Sequence, residues 1–227
     1  MYSLEDAIIA FSNGKFVLVH DDKGRENEVD MVIAAEFVTP KHVGTMRRHA
    51  GGLICTAISH ESALKMGLMY MHDILEHMST TAPMLSKMIS GKAPYGDRSA
   101  FSISVNHRDT YTGITDNDRA LTINKMAEVC RNINSNGPEM FANSFRAPGH
   151  VPILIASKGL LNDRMGHTEL CMYLAEASGH IHSVAMCEML DLNTHRAMTI
   201  EEAEKYAIEN SVLILEASQL KTFAKAV

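Results

Sequence analysis

The sequence predicts an α+β fold, a sandwich of the α/β type in which helices pack on the faces of a mixed sheet within one domain spanning residues 1–227. Three observations carry that expectation. Short apolar runs recur along the chain, at Lys15–His20, Met31–Ala35, Leu53–Ile58, Phe101–Asn106, Val151–Ala156, Ile181–Cys187 and Val212–Leu215. Segments with helix-start signals lie between them, so strands and helices interleave. No Pro/Gly/Ser-rich linker, charge run, internal repeat or low-complexity tract divides the chain.

Taken in order, Ser3-Leu4-Glu5-Asp6 has the form of a capping box, and Ala7 to Phe11 supplies an apolar face. Gly14 then stops this helix in the usual position beyond its C-terminus. A buried strand over Lys15–His20 is followed by the polar segment Asp21–Asp30 and a second strand from Met31. Thr39-Pro40 caps and opens a helix that ends at Gly51-Gly52. Residues 79–99, punctuated by Pro83, Gly91, Pro94 and Gly96, read as a long irregular excursion, the kind of loop that is functional or mobile. Phe101–Asn106 alternates as a half-buried strand does. A helix then runs through Cys130, and a polar loop around Asn134–Pro138 leads to the turn Arg146-Ala147-Pro148-Gly149 before the strand at Val151. His167–Ala177 reads as a helix, and Thr199-Ile200-Glu201-Glu202 is a second capping box opening the last helix before Val212.

Composition narrows the function classes. The 227 residues are 46% hydrophobic and 21% charged, which is ordinary for a globular domain. A net charge of −6 argues against nucleic acid as the main partner. The N-terminus has neither a basic nor an apolar leader, and no apolar run is long enough to span a membrane. The four cysteines form no CxxC pair, which with these features fits a reduced, cytoplasmic setting. The 16 methionines read as gap-fillers of the core.

Chemistry concentrates in a few places. Asp21, Asp22, Glu26, Glu28 and Asp30 fall within ten residues. If the segment is extended, Glu26, Glu28 and Asp30 share one face, where they repel unless a cation or an arginine such as Arg25 sits among them. A solvated polar loop is the alternative reading of such a cluster. Arg164-Met165-Gly166-His167-Thr168-Glu169 precedes a helix, whose free N–H groups with the arginine form an anion site suited to phosphate; simple capping by Thr168 is the alternative. His150 and the strand-end Glu188 are further candidates. Zinc-deaminase, HExxH, Walker and Gly-x-Ser-x-Gly patterns are absent.

Five segments then occur in order: Arg25-Glu26-Asn27-Glu28-Val29-Asp30, Gly52-Leu53-Ile54-Cys55, Thr112-Gly113-Ile114-Thr115 with Asp118-Arg119-Ala120, Arg146-Ala147-Pro148-Gly149-His150, and Arg164 to Glu169. Together they resemble the signature segments of 3,4-dihydroxy-2-butanone 4-phosphate synthases, over Leu4 to about Glu188. The resemblance implies conversion of ribulose 5-phosphate to the four-carbon ketone phosphate plus formate, a step of riboflavin biosynthesis. It implies a divalent cation, magnesium or manganese, on Glu26 and His167. Arg25, Glu26, Asp30 and Glu188 would contact the sugar, and Arg164, Met165, Gly166, His167 and Thr168 its phosphate. His150, Glu188, Asp21, Glu28 and Cys55 would form the catalytic set. A homodimer with sites at the subunit interface is implied too.

Val29 and Asp116-Asn117 depart from the family's commoner residues, which bears on loop geometry. The cysteines of the fused GTP cyclohydrolase II domain found in some relatives are missing, so a monofunctional form is expected. The implied chemistry accounts for the inventory: a cation stabilises an enediolate, while carboxylates and histidines move protons. A metal-dependent sugar-phosphate isomerase, or a non-catalytic phosphosugar-binding module, would share parts of it.

Overall fold

In the computed structural model, which describes residues 3–89 and 91–224, the chain opens with α1 (Leu4–Ser12). The Ser3 hydroxyl accepts from the Asp6 amide and the Asp6 carboxylate accepts from the Ser3 amide, the reciprocal capping box expected. Gly14 follows at φ +68, where a Cβ would also strike the Phe37 side chain at 2.7 Å. Strands β1 (Val17–His20) and β2 (Val29–Ala34) are buried throughout. Helix α2 (Pro40–Thr45) is capped by Thr39 and widens into a π turn over Met46–Ala50 that ends at Gly51.

After β3 (Cys55–Ile58) come α3 (His60–Lys65) and α4 (Met71–Met78), neither of which the sequence patterning singled out. The excursion of residues 79–99 holds one short 3-10 segment, Pro83–Lys87, and is otherwise irregular; Ser90 within it lies outside the described residues. Then follow β4 (Phe101–His107), α5 (Asp116–Arg131), α6 (Gly137–Ser144), β5 (Phe145–Ile155), α7 (His167–Ala177) and β6 (Ser183–Glu188). A small hairpin, β7 (Leu190–Asp191) and β8 (Arg196–Ala197), precedes α8 (Ile200–Asn210), β9 (Leu213–Glu216) and α9 (Ala217–Ala224).

Seven strands form one mixed sheet in the order β4-β5-β3-β6-β2-β1-β9. The β3·β5 and β1·β9 pairs are parallel and the others antiparallel. Period-two alternation sorts the side chains into two layers. Val17, Val19, Val32, Ala34, Val184 and Met186 pack with α1, α7 and α9 on one face. Leu18, Met31, Ile33, Ala185 and Cys187 pack with α2, α5 and α8 on the other. The α+β expectation, a mixed sheet with helices on its faces, holds. No helix among the described residues is long and apolar enough to cross a membrane.

One sequence expectation is corrected. Arg146-Ala147-Pro148-Gly149 is not a turn preceding a strand but lies inside β5. The register slips between Val105 and Asn106 of β4, so that residues 147–150 bulge out opposite them. A bulge is where a strand tolerates Pro and Gly. Gly149 is required there, because a Cβ would come within 2.0 Å of the Val105 carbonyl carbon.

The alternation also places the site. Asp30 shares parity with Val32 and Ala34, and Glu188 with Val184 and Met186. Asp30 and Glu188 are direct register partners. Their carboxyls therefore project from neighbouring strands on the α7 face, at the end of the sheet where the N-terminus of α7 arrives.

Candidate active site

The acidic segment is not extended up to Asp30, as one-face alternation would need; it is a tight turn organised by Asp21. That carboxylate is buried and accepts from Arg25 Nη1 at 3.0 Å and from the amides of Glu26 and Glu28 at 3.1 and 3.0 Å. The Arg25 amide donates to the Asp22 carbonyl at 2.9 Å, and Asn27 closes the turn at φ 55. The three acids converge all the same. Glu26, Glu28, Asp30 and Glu188 line one cavity of about 550 Å³ together with Arg25, Arg164, His167 and Thr168.

His167, the first residue of α7, stands at the centre. Its Nδ1 is 3.2 Å from Glu26 Oε2, its Nε2 is 3.1 Å from the Glu28 carbonyl oxygen, and Asp30 Oδ1 lies 3.9 Å from Nε2. Burial alone would lower the imidazole's pKa, but the charge of Asp30 and the hydrogen bond with Glu26 carry it to about 9. Burial pushes the Asp30 carboxyl up to about 7, with His167 opposing and Glu188 reinforcing. Burial would raise Glu26 as well, yet hydrogen bonds from His167 and Tyr95 and the charge of Arg25 hold it down at about 2. Burial and the Glu26 charge raise Glu28. Asp30 is thus the acid poised to exchange a proton near neutrality, and its Oδ1 is buried without a hydrogen-bond partner.

Beside this cluster two arginines meet over the helix N-terminus. Gly166 is the N-cap and offers no side chain, so the alternative in which Thr168 simply caps the helix does not hold; Thr168 is buried on the cavity wall instead. A Cβ on Gly166 would lie 2.8 Å from Arg25 Nη2 and 2.9 Å from Arg164 Nη1. Arg164 Nη1 donates to the buried Glu169 at 2.9 Å. Met165 turns away to pack against the core. Two residues that sequence reasoning passed over complete the wall. Asp97 accepts from Arg25 Nε at 2.8 Å with Arg164 Nε 3.5 Å away, and the Tyr95 ring lies 4.8 Å from the Arg25 guanidinium. Their signal in the sequence was an aromatic between Pro94 and Gly96 and an acid just after it, in the long excursion.

Glu188 is seated by the second signature segment. Its Oε2 accepts from the Leu53 amide at 2.7 Å, and a Cβ on Gly52 would come within 2.4 Å of that oxygen. Cys55 does not line the cavity: it is buried in β3, and burial pushes its thiol well above the ordinary range. His150 is not brought to the cavity either. It is exposed on the β5 bulge, with its amide donating to buried Asn106 Oδ1 at 2.8 Å. The third segment packs there too, since Gly113 at φ +98 abuts Asn106 and donates to Asp118 at 2.9 Å.

The donor set fits a hard divalent cation. Asp21, Glu26 and His167 each offer a ligand atom within 4.8 Å of the others. Asp21 is already committed to Arg25 and two amides, which leaves Glu26 and His167. Adjacent ligands about 2.0–2.1 Å from an octahedral ion sit about 3.0 Å apart, against 3.2 Å between Glu26 Oε2 and His167 Nδ1. With Nε2 donating to the Glu28 carbonyl, the Nδ1 lone pair is the one directed at an ion. Carboxylate with imidazole suits magnesium or manganese.

Comparison with known proteins agrees. A family model described as 3,4-dihydroxy-2-butanone 4-phosphate synthase matches residues 5–223. The chain is 44% identical to the synthase of that name from Methanothermobacter thermautotrophicus, over 96% of this chain and 93% of the relative. It is 44% identical to the Archaeoglobus fulgidus synthase over 93% and 90%. Among solved structures, a synthase in complex with two magnesium ions superposes with a TM-score of 0.77 at 28% identity, covering 100% of this chain and 98% of the other. The Candida albicans synthase gives 0.76 at 29%, covering 99% and 98%. A match over nearly the whole chain at this identity shows that it belongs to the 3,4-dihydroxy-2-butanone 4-phosphate synthase family.

Proposed function

We propose that the chain, as a single domain, is a divalent-cation-dependent lyase that converts D-ribulose 5-phosphate into 3,4-dihydroxy-2-butanone 4-phosphate and formate in riboflavin biosynthesis. The observation that carries it is the meeting of Glu26 and His167, 3.2 Å apart, with Asp30, Glu28 and Glu188 around one cavity. The two products together contain every atom of the substrate, so neither an oxidant nor an organic cofactor is needed.

Glu26 and His167 would hold Mg2+ or Mn2+, which supplies charge stabilisation for oxygens of the ketose. Arg164, Thr168 and the free amides of α7 bind the phosphate, and the helix dipole favours it. Asp30 and Glu188, side by side on β2 and β6, face the sugar and move protons between its carbons, with Glu28 beside them. Arg25, which meets Arg164 over Gly166, orients the sugar from its phosphate end. Asp21 acts by shaping the loop, and Cys55 by packing beneath the site.

His150 has a role only if a second copy delivers it. Its exposure, beside Tyr111 and Ile114 at 92% and 51% exposed, supports a homodimer with sites at the interface. A cytoplasmic setting and a sugar-phosphate partner fit the four free cysteines and this cavity.

Ribulose 5-phosphate carrying ¹³C at C4 tests the reading. The label is expected in formate, with turnover lost in excess chelator and in Glu26→Gln. Label retained in a pentose phosphate would make the chain an isomerase instead.

A further inference from the structure

The phosphate clamp has an occupant of its own. Asp97 Oδ2 lies 2.8 Å from Arg25 Nε and 3.5 Å from Arg164 Nε, between the guanidiniums that converge over Gly166. We propose that Asp97 is a built-in stand-in for the substrate's phosphate, holding the anion position between Arg25 and Arg164 in the free protein and yielding it when a phosphate enters. The inference rests on the phosphate clamp proposed above and adds the group that competes for it.

Three features point this way. The first is unused donor capacity. The Arg25 side chain is only 8% exposed, yet its Nη2, adjacent to Gly166, has no hydrogen-bond partner, and neither does Arg164 Nε. One carboxylate oxygen cannot satisfy two forks, whereas a phosphate brings three acceptor oxygens and more charge. The second is where Asp97 sits. It lies in the irregular segment 91–99, on a turn closed by Gly96 N to Ala93 O and Ala93 N to Asp97 O, both 2.8 Å. It keeps 29% of its side chain exposed, so release into water leaves no buried unpaired charge. Arg25 in turn retains Asp21 and Glu26, and Arg164 retains Glu169, so neither cation depends on Asp97 alone.

The third is the effect on specificity. An uncharged sugar end cannot displace a carboxylate from two guanidiniums, but a phosphate dianion can. Occupation by Asp97 therefore filters against unphosphorylated pentoses.

Titration of inorganic phosphate into the magnesium-loaded protein tests this. A site occupied by its own carboxylate shows apparent affinity reduced by the fraction of molecules in which it is free. Asp97→Asn should accordingly bind phosphate about three- to tenfold more tightly than wild type, and Arg164→Ala more weakly. Hydrogen exchange on the unaltered protein gives an arm independent of any variant: saturating phosphate should speed exchange in residues 91–99, because Asp97 is released. If Asp97→Asn binds phosphate no more tightly while Arg164→Ala loses it, the stand-in is refuted and the clamp survives. Unchanged binding by Arg164→Ala refutes the clamp itself. Protection of residues 91–99 by phosphate would overturn the stand-in whatever the variants do.

Discussion

Replacing Arg164 by alanine removes two interactions whose consequences separate. Arg164 Nη1 donates at 2.9 Å to Glu169 Oε2, and Glu169 is fully buried with its other oxygen accepting from the Ser157 amide at 2.9 Å. Burial already raises the Glu169 pKa, and the Arg164 charge opposes that rise. Without the arginine a buried carboxylate is left unpaired. Breaking such a pair costs roughly 3–5 kcal/mol, and the lower end applies because Glu169 can take up a proton. The pH sign follows. Glu169 in the folded variant titrates further above the unfolded value of about 4.3, so stability is lost progressively as pH rises from there toward the folded pKa.

The second loss is the phosphate contact, charge-assisted and worth about 1.5–3 kcal/mol, or roughly ten- to a hundredfold in KM. Urea unfolding of Arg164→Ala at pH 5 and pH 8 should show the larger deficit at pH 8, and KM for ribulose 5-phosphate should rise. Adding Glu169→Gln removes the orphaned charge and should recover stability without recovering KM. Arg164→Lys should recover KM only in part, because the planar fork is gone. If Glu169→Gln restored KM, or Arg164→Ala kept wild-type KM, Arg164 would act on Glu169 alone and hold no phosphate.

Gly166→Ala, whose Cβ would lie within 2.9 Å of both guanidiniums, should raise KM by about tenfold, near 1.4 kcal/mol, while thermal stability changes little; an unchanged KM would mean that the arginines need not converge there. Magnesium binding should release about one proton per ion between pH 7 and 8, read by calorimetry in two buffers, since a metal displaces the proton that His167 holds up to about 9. In metal-free protein the raised His167 pKa gives stability present in full below the ordinary 6.5 and lost as pH rises through about 9; added magnesium should offset that decline, and a flat metal-free profile would contradict the imidazolium. Mixed Glu26→Gln and His150→Ala subunits, each inactive alone, should recover about a quarter of wild-type activity if every site takes His150 from its partner in a twofold dimer, whereas no recovery would refute delivery of His150 by the partner.

Much of this was legible because local signals and tertiary burial agreed. The Ser3 and Thr199 capping boxes, Thr39-Pro40 and the apolar runs of β1, β2 and β6 each name an element that the whole fold also requires. Helix α4 was not legible: Tyr70 gives no side-chain cap, and none of its residues is fully buried. Pro148-Gly149 misled for a physical reason, since a strand bulge and a turn ask for the same residues. In the site, Glu26, Glu28, Asp30, Arg164 and His167 were visible as motif residues. That Asp97 bridges two arginines from a segment 72 residues after Arg25 depends on contacts distant in sequence; that Asp21 shapes the turn depends on local backbone geometry that residue types alone do not specify.

The most direct test of the central claim is formate counted against ribulose 5-phosphate consumed, with magnesium and then with excess chelator. One formate per substrate, falling to none when the cation is removed and returning when it is restored, is the expected result. Substrate consumed without formate, or formate released at the full rate in chelator, would contradict the chemistry assigned to Glu26, His167 and the carboxylates around them.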